Sequence, residues 1–457
     1  MKKTISAVFF SILVGAGLVS CGTGYGGQTG PGTTGPTGTS SAPSTLNFRA
    51  FVSNPFNPTI TGGVFPGLNI IDASHDLLSQ FDVDLSTTTP SAGLMVETPK
   101  RDRTVVFSPT TDTSPGLTGN KLGIVNNATE AGAGSVALPG PTESMFVWVD
   151  NTTLFTAIPA ASVNGQPAGA VLEVNIANQT ITATIPVAGA RYVIPSPSGN
   201  QILVISDSAN SVSVLRPALI ANGDALTTVD TTSTGTDLHF DRPVWAVFSP
   251  DGATAYVMNC GAECGAAGGA APSIAVVSVT ASQPAVLSKV PVPAATIGLL
   301  DKNGNLYVAG TPLASGADCV ASLCGVLTVF PSADLTAAPA TFPIADGYHN
   351  RMAEAQNGQI FIGSRTCTNI IASGSTPGRG CLSVFNAAGG NVYTASQNGD
   401  VTGIEPILSR SQVYVCEGGA IRIYDTSKDL GSGAELQLQK TQVGVTGKAI
   451  DVKLADF

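Results

Sequence analysis

Only 11% of the 457 residues are charged, and the formal net charge is −10. An acidic chain with no run of Lys or Arg has no electrostatic footprint for nucleic acid, and no basic patch for anionic lipid headgroups. With 52 glycines and 30 prolines, short strands joined by many turns are expected rather than helices with solvated Glu/Lys faces.

The chain opens with "MKKTISAVFFSILVGAGLVSC": two lysines, an apolar stretch from Ile5 to Leu18, then small residues. This is the layout of a secretory signal, too short and wrongly flanked for a membrane-spanning helix. Leu18-Val19-Ser20-Cys21 resembles a bacterial lipobox. The resemblance implies that the Cys21 thiol is lipidated and becomes the first mature residue; an ordinary signal peptide with a chance cysteine is the alternative. Several acyl chains together give the stable anchoring that one cannot. Gly22, in place of Asp, points to the outer membrane and leaves its face open. Residues 22–45, "GTGYGGQTGPGTTGPTGTSSAPST", carry no charge and almost nothing to bury. They are expected to form a disordered tether reaching on the order of 25–30 Å.

From residue 46 onward one local grammar recurs: an apolar strand, a polar turn, then a second and more regular strand. The turn-plus-strand copies are "KRDRTVVFS" (100–108), "DNTTLFTAI" (150–158), "SPSGNQILVIS" (196–206), "SPDGATAYVMN" (249–259), "DKNGNLYVAG" (301–310), "QNGQIFIGS" (356–364) and "SRSQVYVCE" (409–417). A further strand of this type, "FRAFVSN" (48–54), stands at the start without its leading strand. Two more strand-like runs follow each copy, for example "AVLEVNI" (170–176) and "QTITATIPV" (179–187), the latter alternating with period two. Copies spaced about fifty residues apart match one four-stranded propeller blade with generous loops. The expected fold is therefore all-β, a β-propeller over residues 46–457 with eight four-stranded blades, or seven if one assignment fails. The C-terminal run "GKAIDVKL" (447–454) is left over and is expected to pair with 48–54, closing the ring and protecting its edges.

The stretches "ARYVIPSPSGNQILVISDSANSVSVL" and "PVWAVFSPDGATAYVMN" resemble the YVTN-type β-propeller repeat, with its Ser-Pro-Asp-Gly turn and Tyr-Val-Thr-Asn-like strand. The likeness is close at 190–215 and 243–259 and schematic elsewhere; 142–158 and 402–417 lack the turn. It implies a bacterial surface or secreted protein with lactonase-type propellers among its relatives.

Apart from Cys21, six cysteines fall as pairs in successive blades: Cys260 and Cys264, Cys319 and Cys324, Cys367 and Cys381. In an oxidising compartment three local disulfides are the economical reading, although six cysteines allow fifteen pairings. Four thiolates from the first two pairs are the metal-binding rival, and no metal is expected. Cys416, inside a strand, reads as a buried free thiol. "DKNGN" (301–305) begins like a calcium loop but lacks the later ligands and occupies the hairpin slot.

Of the three histidines, His75 lies in an outer loop, whereas His239 and His349 precede inner strands and are each followed by an arginine, Arg242 and Arg351. Arg191 holds a similar place. Inter-blade loops rim the channel mouth, so these five residues are the candidate ligand site, suited to a carboxylate or phosphate. The alternative is loop hydrogen bonding. No nucleophile elbow, His-Glu-x-x-His or phosphate loop is present in the sequence. The expected function is a membrane-anchored, non-catalytic binding or scaffold module, monomeric and without a cofactor, whose partner is a protein, glycan or small molecule. A lactonase-like hydrolase at the channel mouth is the alternative. A quinone or copper redox propeller is disfavoured by the scarcity of histidine.

Overall fold

The computed structural model describes residues 43–58, 64–85, 91–109, 119–159, 169–235, 238–266, 269–312, 323–368, 380–395, 399–427, 438–445 and 447–457. The expected signal segment with Cys21, nearly all of the tether, and Cys319 lie outside these residues. The described strands form eight four-stranded antiparallel sheets. The innermost strands are Met95–Glu97, Met145–Val147, Tyr192–Pro195, Pro243–Phe248, Ile297–Leu300, Tyr348–Glu354, Val401–Ile407 and Asp451–Leu454. Each contacts the next, and the last contacts the first, so the ring is closed. The chain is an eight-bladed β-propeller.

The burial pattern follows from this arrangement. Both faces of a blade are covered by its neighbours, so the second strand has no solvent side and reads as one continuous apolar run. All residues of Ile202–Ser206, Leu306–Gly310 and Gln412–Glu417 are buried. Outer strands meet water, and Thr180–Pro186 contains no buried residue.

The inner hairpin turns show why the repeat is written as it is. Gly252 and Gly199 take φ of +69° and +70°, which a side chain resists. The preceding serines accept back: Thr254 N–H donates to Ser249 Oγ at 3.0 Å and Gln201 N–H to Ser196 Oγ at 3.2 Å. Where the motif is missing, Asn151 and Ser411 adopt the left-handed conformation themselves, at φ +69° and +52°. "DKNGN" is likewise a turn: Asp301 Oδ1 accepts the N–H groups of Asn303 and Asn305 at 2.8 and 2.7 Å.

Closure is made by the last strand. Ala50 pairs with Leu454, Phe51 with Lys453, Val52 with Val452 and Ser53 with Asp451. Residues 447–450 of the expected run precede the strand rather than join it. Arg49 then ties the two ends together, donating Nε and Nη2 to the Asp456 carboxylate at 2.7 Å each and Nη1 to Glu130 at 2.7 Å. A bidentate, largely buried pair of this kind is much stronger than a surface ion pair. Ser44 is held to the same Glu130 carboxylate, and the Arg101 guanidinium lies 4.6 Å from the centroid of the Phe457 ring. The first described residues and the C-terminal residues therefore sit on the face that carries the inner hairpin turns.

Cys260 is bonded to Cys264, Cys367 to Cys381, and Cys324 is also in a disulfide; Cys416 is free and buried. Among the described residues, no helix is long and apolar enough to cross a membrane, and no group of three or more His, Cys, Asp or Glu could hold a metal ion.

Candidate functional site at the channel mouth

The opposite face holds a cavity of about 460 Å³. It is built where inner strands begin: Thr142 and Glu143, Arg191 and Tyr192, Val244 and Trp245, Thr296 and Ile297, then Tyr348, Asn350 and Arg351. Arg365 joins them from the far end of the second strand Ile360–Arg365, opposite Tyr348 in the ladder.

Strand alternation alone would send neighbouring side chains to opposite faces. Two bulges change that here. The pairing register shifts between Pro243 and Trp245, and again between His349 and Arg351. A bulge inserts a residue and re-aims its neighbours. Both Val244 and Trp245 consequently line the cavity, as do both Asn350 and Arg351.

The five residues singled out from the sequence divide. Arg191 and Arg351 line the cavity. Arg242 does not; it has φ +52° and donates Nε and Nη2 to the Cys264 carbonyl at 3.2 and 3.0 Å, bracing the disulfide loop. His239 is mostly exposed, with Nε2 3.1 Å from Asp241, and is not part of the wall. His349 is a correction to the expected loop position: it lies within the strand Tyr348–Glu354, is 1% exposed, and places Nε2 2.9 Å from the Ala345 carbonyl. Burial pushes its pKa down to about 4, so the ring is neutral and Nε2 is the donor.

The arginines of the wall differ in their company. Arg191 is fully engaged, with Nη2 2.9 Å from Glu143 and Nη1 2.9 Å from Asp207. Arg351 donates Nε to the Thr402 carbonyl at 2.8 Å and Nη1 to the Asn350 carbonyl at 2.9 Å, and forms no ion pair among the described residues. Burial, and then the nearby Arg351 charge, push the pKa of Arg365 down. The hydroxyls of Tyr192 and Tyr348, three blades apart, approach to 3.4 Å across the channel. Burial raises the pKa of both, so they remain phenols. Trp245 donates Nε1 to the Gly298 carbonyl at 2.9 Å, which fixes its ring on the wall.

Sequence reasoning missed Arg365, Asn350, Trp245 and the tyrosine pair as wall residues. Only the bulges, which leave no mark in a hydrophobic pattern, could have pointed to two of them.

No protein-family model and no curated protein matches the chain. Among solved structures it is similar to the dihydro-heme d1 dehydrogenase NirN (12% identity, TM-score 0.59), covering 90% of this chain and 75% of that one. It is also similar to the periplasmic gluconolactonase PpgL of Pseudomonas aeruginosa (14% identity, TM-score 0.47; 89% and 98% covered). A third likeness is to hydrazine synthase of Kuenenia stuttgartiensis (16% identity, TM-score 0.49; 70% and 93% covered). At such identities the likeness shows the fold alone.

Proposed function

We propose that the protein is an envelope lipoprotein, held at a membrane through Cys21, whose propeller binds a ligand at the channel mouth without chemical turnover. The observation that carries this reading is the make-up of the cavity wall. It offers arginines, tyrosines, a tryptophan and an amide, groups suited to holding a ligand. Nucleophilic catalysis needs a hydroxyl, thiol or amine within hydrogen-bond reach of a base. Here the Thr142 and Thr296 hydroxyls donate to the carbonyls of Ser144 and Ala309, and Glu143 is engaged by Arg191. His239 and His349 stand outside the wall.

Position supports the reading too. The first described residues leave from the face opposite the cavity, so a tether running to Cys21 would leave the mouth open to the aqueous side. Propellers host both binding and catalysis, so the fold itself argues for neither.

Two measurements on the full chain test this. Expressed in a bacterium fed labelled palmitate, the protein should carry the label, and Cys21→Ser should lose it. The purified protein should not hydrolyse sugar lactones above the buffer rate. Hydrolysis that falls in Glu143→Gln or His239→Ala would establish the hydrolase instead.

A further inference from the structure

Arg365 is a half-buried arginine with an unusual gap in its hydrogen bonding. A guanidinium has five N–H donors and is always charged. Among the described residues, that of Arg365 makes no hydrogen bond and no ion pair, and its Nε is buried. Buried polar groups are almost always satisfied, so each exception needs an explanation. Beside it stands Arg351, also without an ion pair among the described residues, although two of its nitrogens bond backbone carbonyls. Two like charges share one wall in a chain whose net charge is −10. A second exception adjoins it: among the described residues, Asn350 Oδ1 is buried without a hydrogen-bond partner. All three residues line the same cavity.

Structural arginines look different in this molecule. Arg49 and Arg191 are each bound to two carboxylates, and Arg410 is bound to Asp76. Each braces one part of the ring against another. Among the described residues Arg365 is bound to no carboxylate; Arg351 repels its charge, and the more weakly acting carboxylates Asp400, Glu143 and Asp451 offset that only in part.

The geometry points to a subsite for an anionic group, a carboxylate or phosphate, seated between Arg351 and Arg365, with a donor on the adjacent atom, a hydroxyl or amine, directed at Asn350 Oδ1. The assignment rests on the reading of the mouth as a binding site and names the chemistry of what it takes. An anion there would cancel the repulsion between the arginines and satisfy the orphaned Nε. Charge-assisted bonds to guanidinium are short, strong and geometrically selective. Arg191 belongs outside the subsite, because Glu143 and Asp207 already neutralise it.

The test is calorimetric titration of the full chain, at constant ionic strength, with glycolate, acetate, inorganic phosphate and the neutral amide glycolamide. Glycolate should bind more tightly than acetate, phosphate should compete with glycolate, and glycolamide should bind about tenfold or more weakly than glycolate. Arg351→Gln and Arg365→Gln should each weaken glycolate about tenfold or more, and Asn350→Ala should erase its advantage over acetate. Arg365→Gln should also unfold no more readily than the wild type, because it removes a repulsion and no bond. Unchanged glycolate affinity in both arginine variants, or marked destabilisation by Arg365→Gln, would overturn the assignment. If glycolamide binds as tightly as glycolate and is lost with Trp245→Ala, the mouth is a binding site but not for an anion.

Discussion

The carboxylate of Asp451, in the last strand, accepts the backbone N–H of Met95 at 2.9 Å across 356 residues of sequence. The same carboxylate accepts the N–H of Val452, while Ser53 Oγ accepts the N–H of Asp451. Asp451 thus joins the tail to the first paired strand through its backbone N–H and to the next blade through its buried carboxylate. Asp451→Ala leaves Met95 N–H buried and unpaired, a loss of about 2 kcal/mol. Urea unfolding should show the midpoint fall with no change in m-value; an unchanged midpoint would mean the latch is not formed.

Stability should depend on pH above the usual carboxylate range. Burial pushes the carboxyls of Glu97, Glu263 and Glu417 up to about 7. Unfolded, they titrate near 4.5, so between these values the native state binds more protons and stability falls as pH rises. His349 acts in the opposite sense: its folded pKa of about 4 lies below the unfolded value of 6.5, so its contribution is lost as pH falls through that interval. Between pH 8 and 6.5 the three glutamates therefore outweigh the one histidine, which is half-titrated in the unfolded chain only at the lower limit. The melting temperature should be higher at pH 6.5 than at pH 8, and Glu417→Gln should reduce the difference, with Glu97 and Glu263 keeping the rest. A rise in melting temperature toward pH 8 would contradict this.

The disulfides should differ in worth. Cys367 and Cys381 are 14 residues apart, whereas Cys260 and Cys264 are 4 apart. Closing the longer loop constrains the unfolded chain by about 3 kcal/mol, the shorter by less. The double variant Cys367→Ser/Cys381→Ser should melt several degrees below Cys260→Ser/Cys264→Ser, read by calorimetry. Equal losses would point to packing at the buried sulfurs rather than to loop closure.

Gly169 has φ +120°, and a Cβ there would lie 2.4 Å from the Val187 carbonyl oxygen and 2.5 Å from Gly189 N. Both obstacles are backbone and cannot swing aside. Gly169→Ala should cost about 2 kcal/mol or more, through strain and overpacking together. A neutral result in denaturant unfolding would mean that this inter-strand crossing relaxes freely.

The ring was legible in the sequence because each blade writes its own turn and its own buried second strand. Ser249, Pro250 and Gly252 encode backbone geometry directly, and the leftover 447–454 run had one unpaired partner. The mouth was legible only in part. Arg191 and Arg351 follow from their place at the start of inner strands, but the same logic put His349 there. Its ring turns inward because the bulge at Asn350 resets the alternation, and a bulge depends on how two strands meet rather than on either sequence. Arg365 was hidden for a related reason: it ends a second strand, where the repeat leads one to expect packing, and reaches the channel only through its length.

The most direct measurement is crystallographic. Crystals of the propeller soaked in selenate, which scatters anomalously and mimics a small oxyanion, should show a peak between the Arg351 and Arg365 guanidinium groups, absent in Arg365→Gln crystals. A cavity that stays free of selenate while the anion gathers elsewhere on the surface would contradict the account.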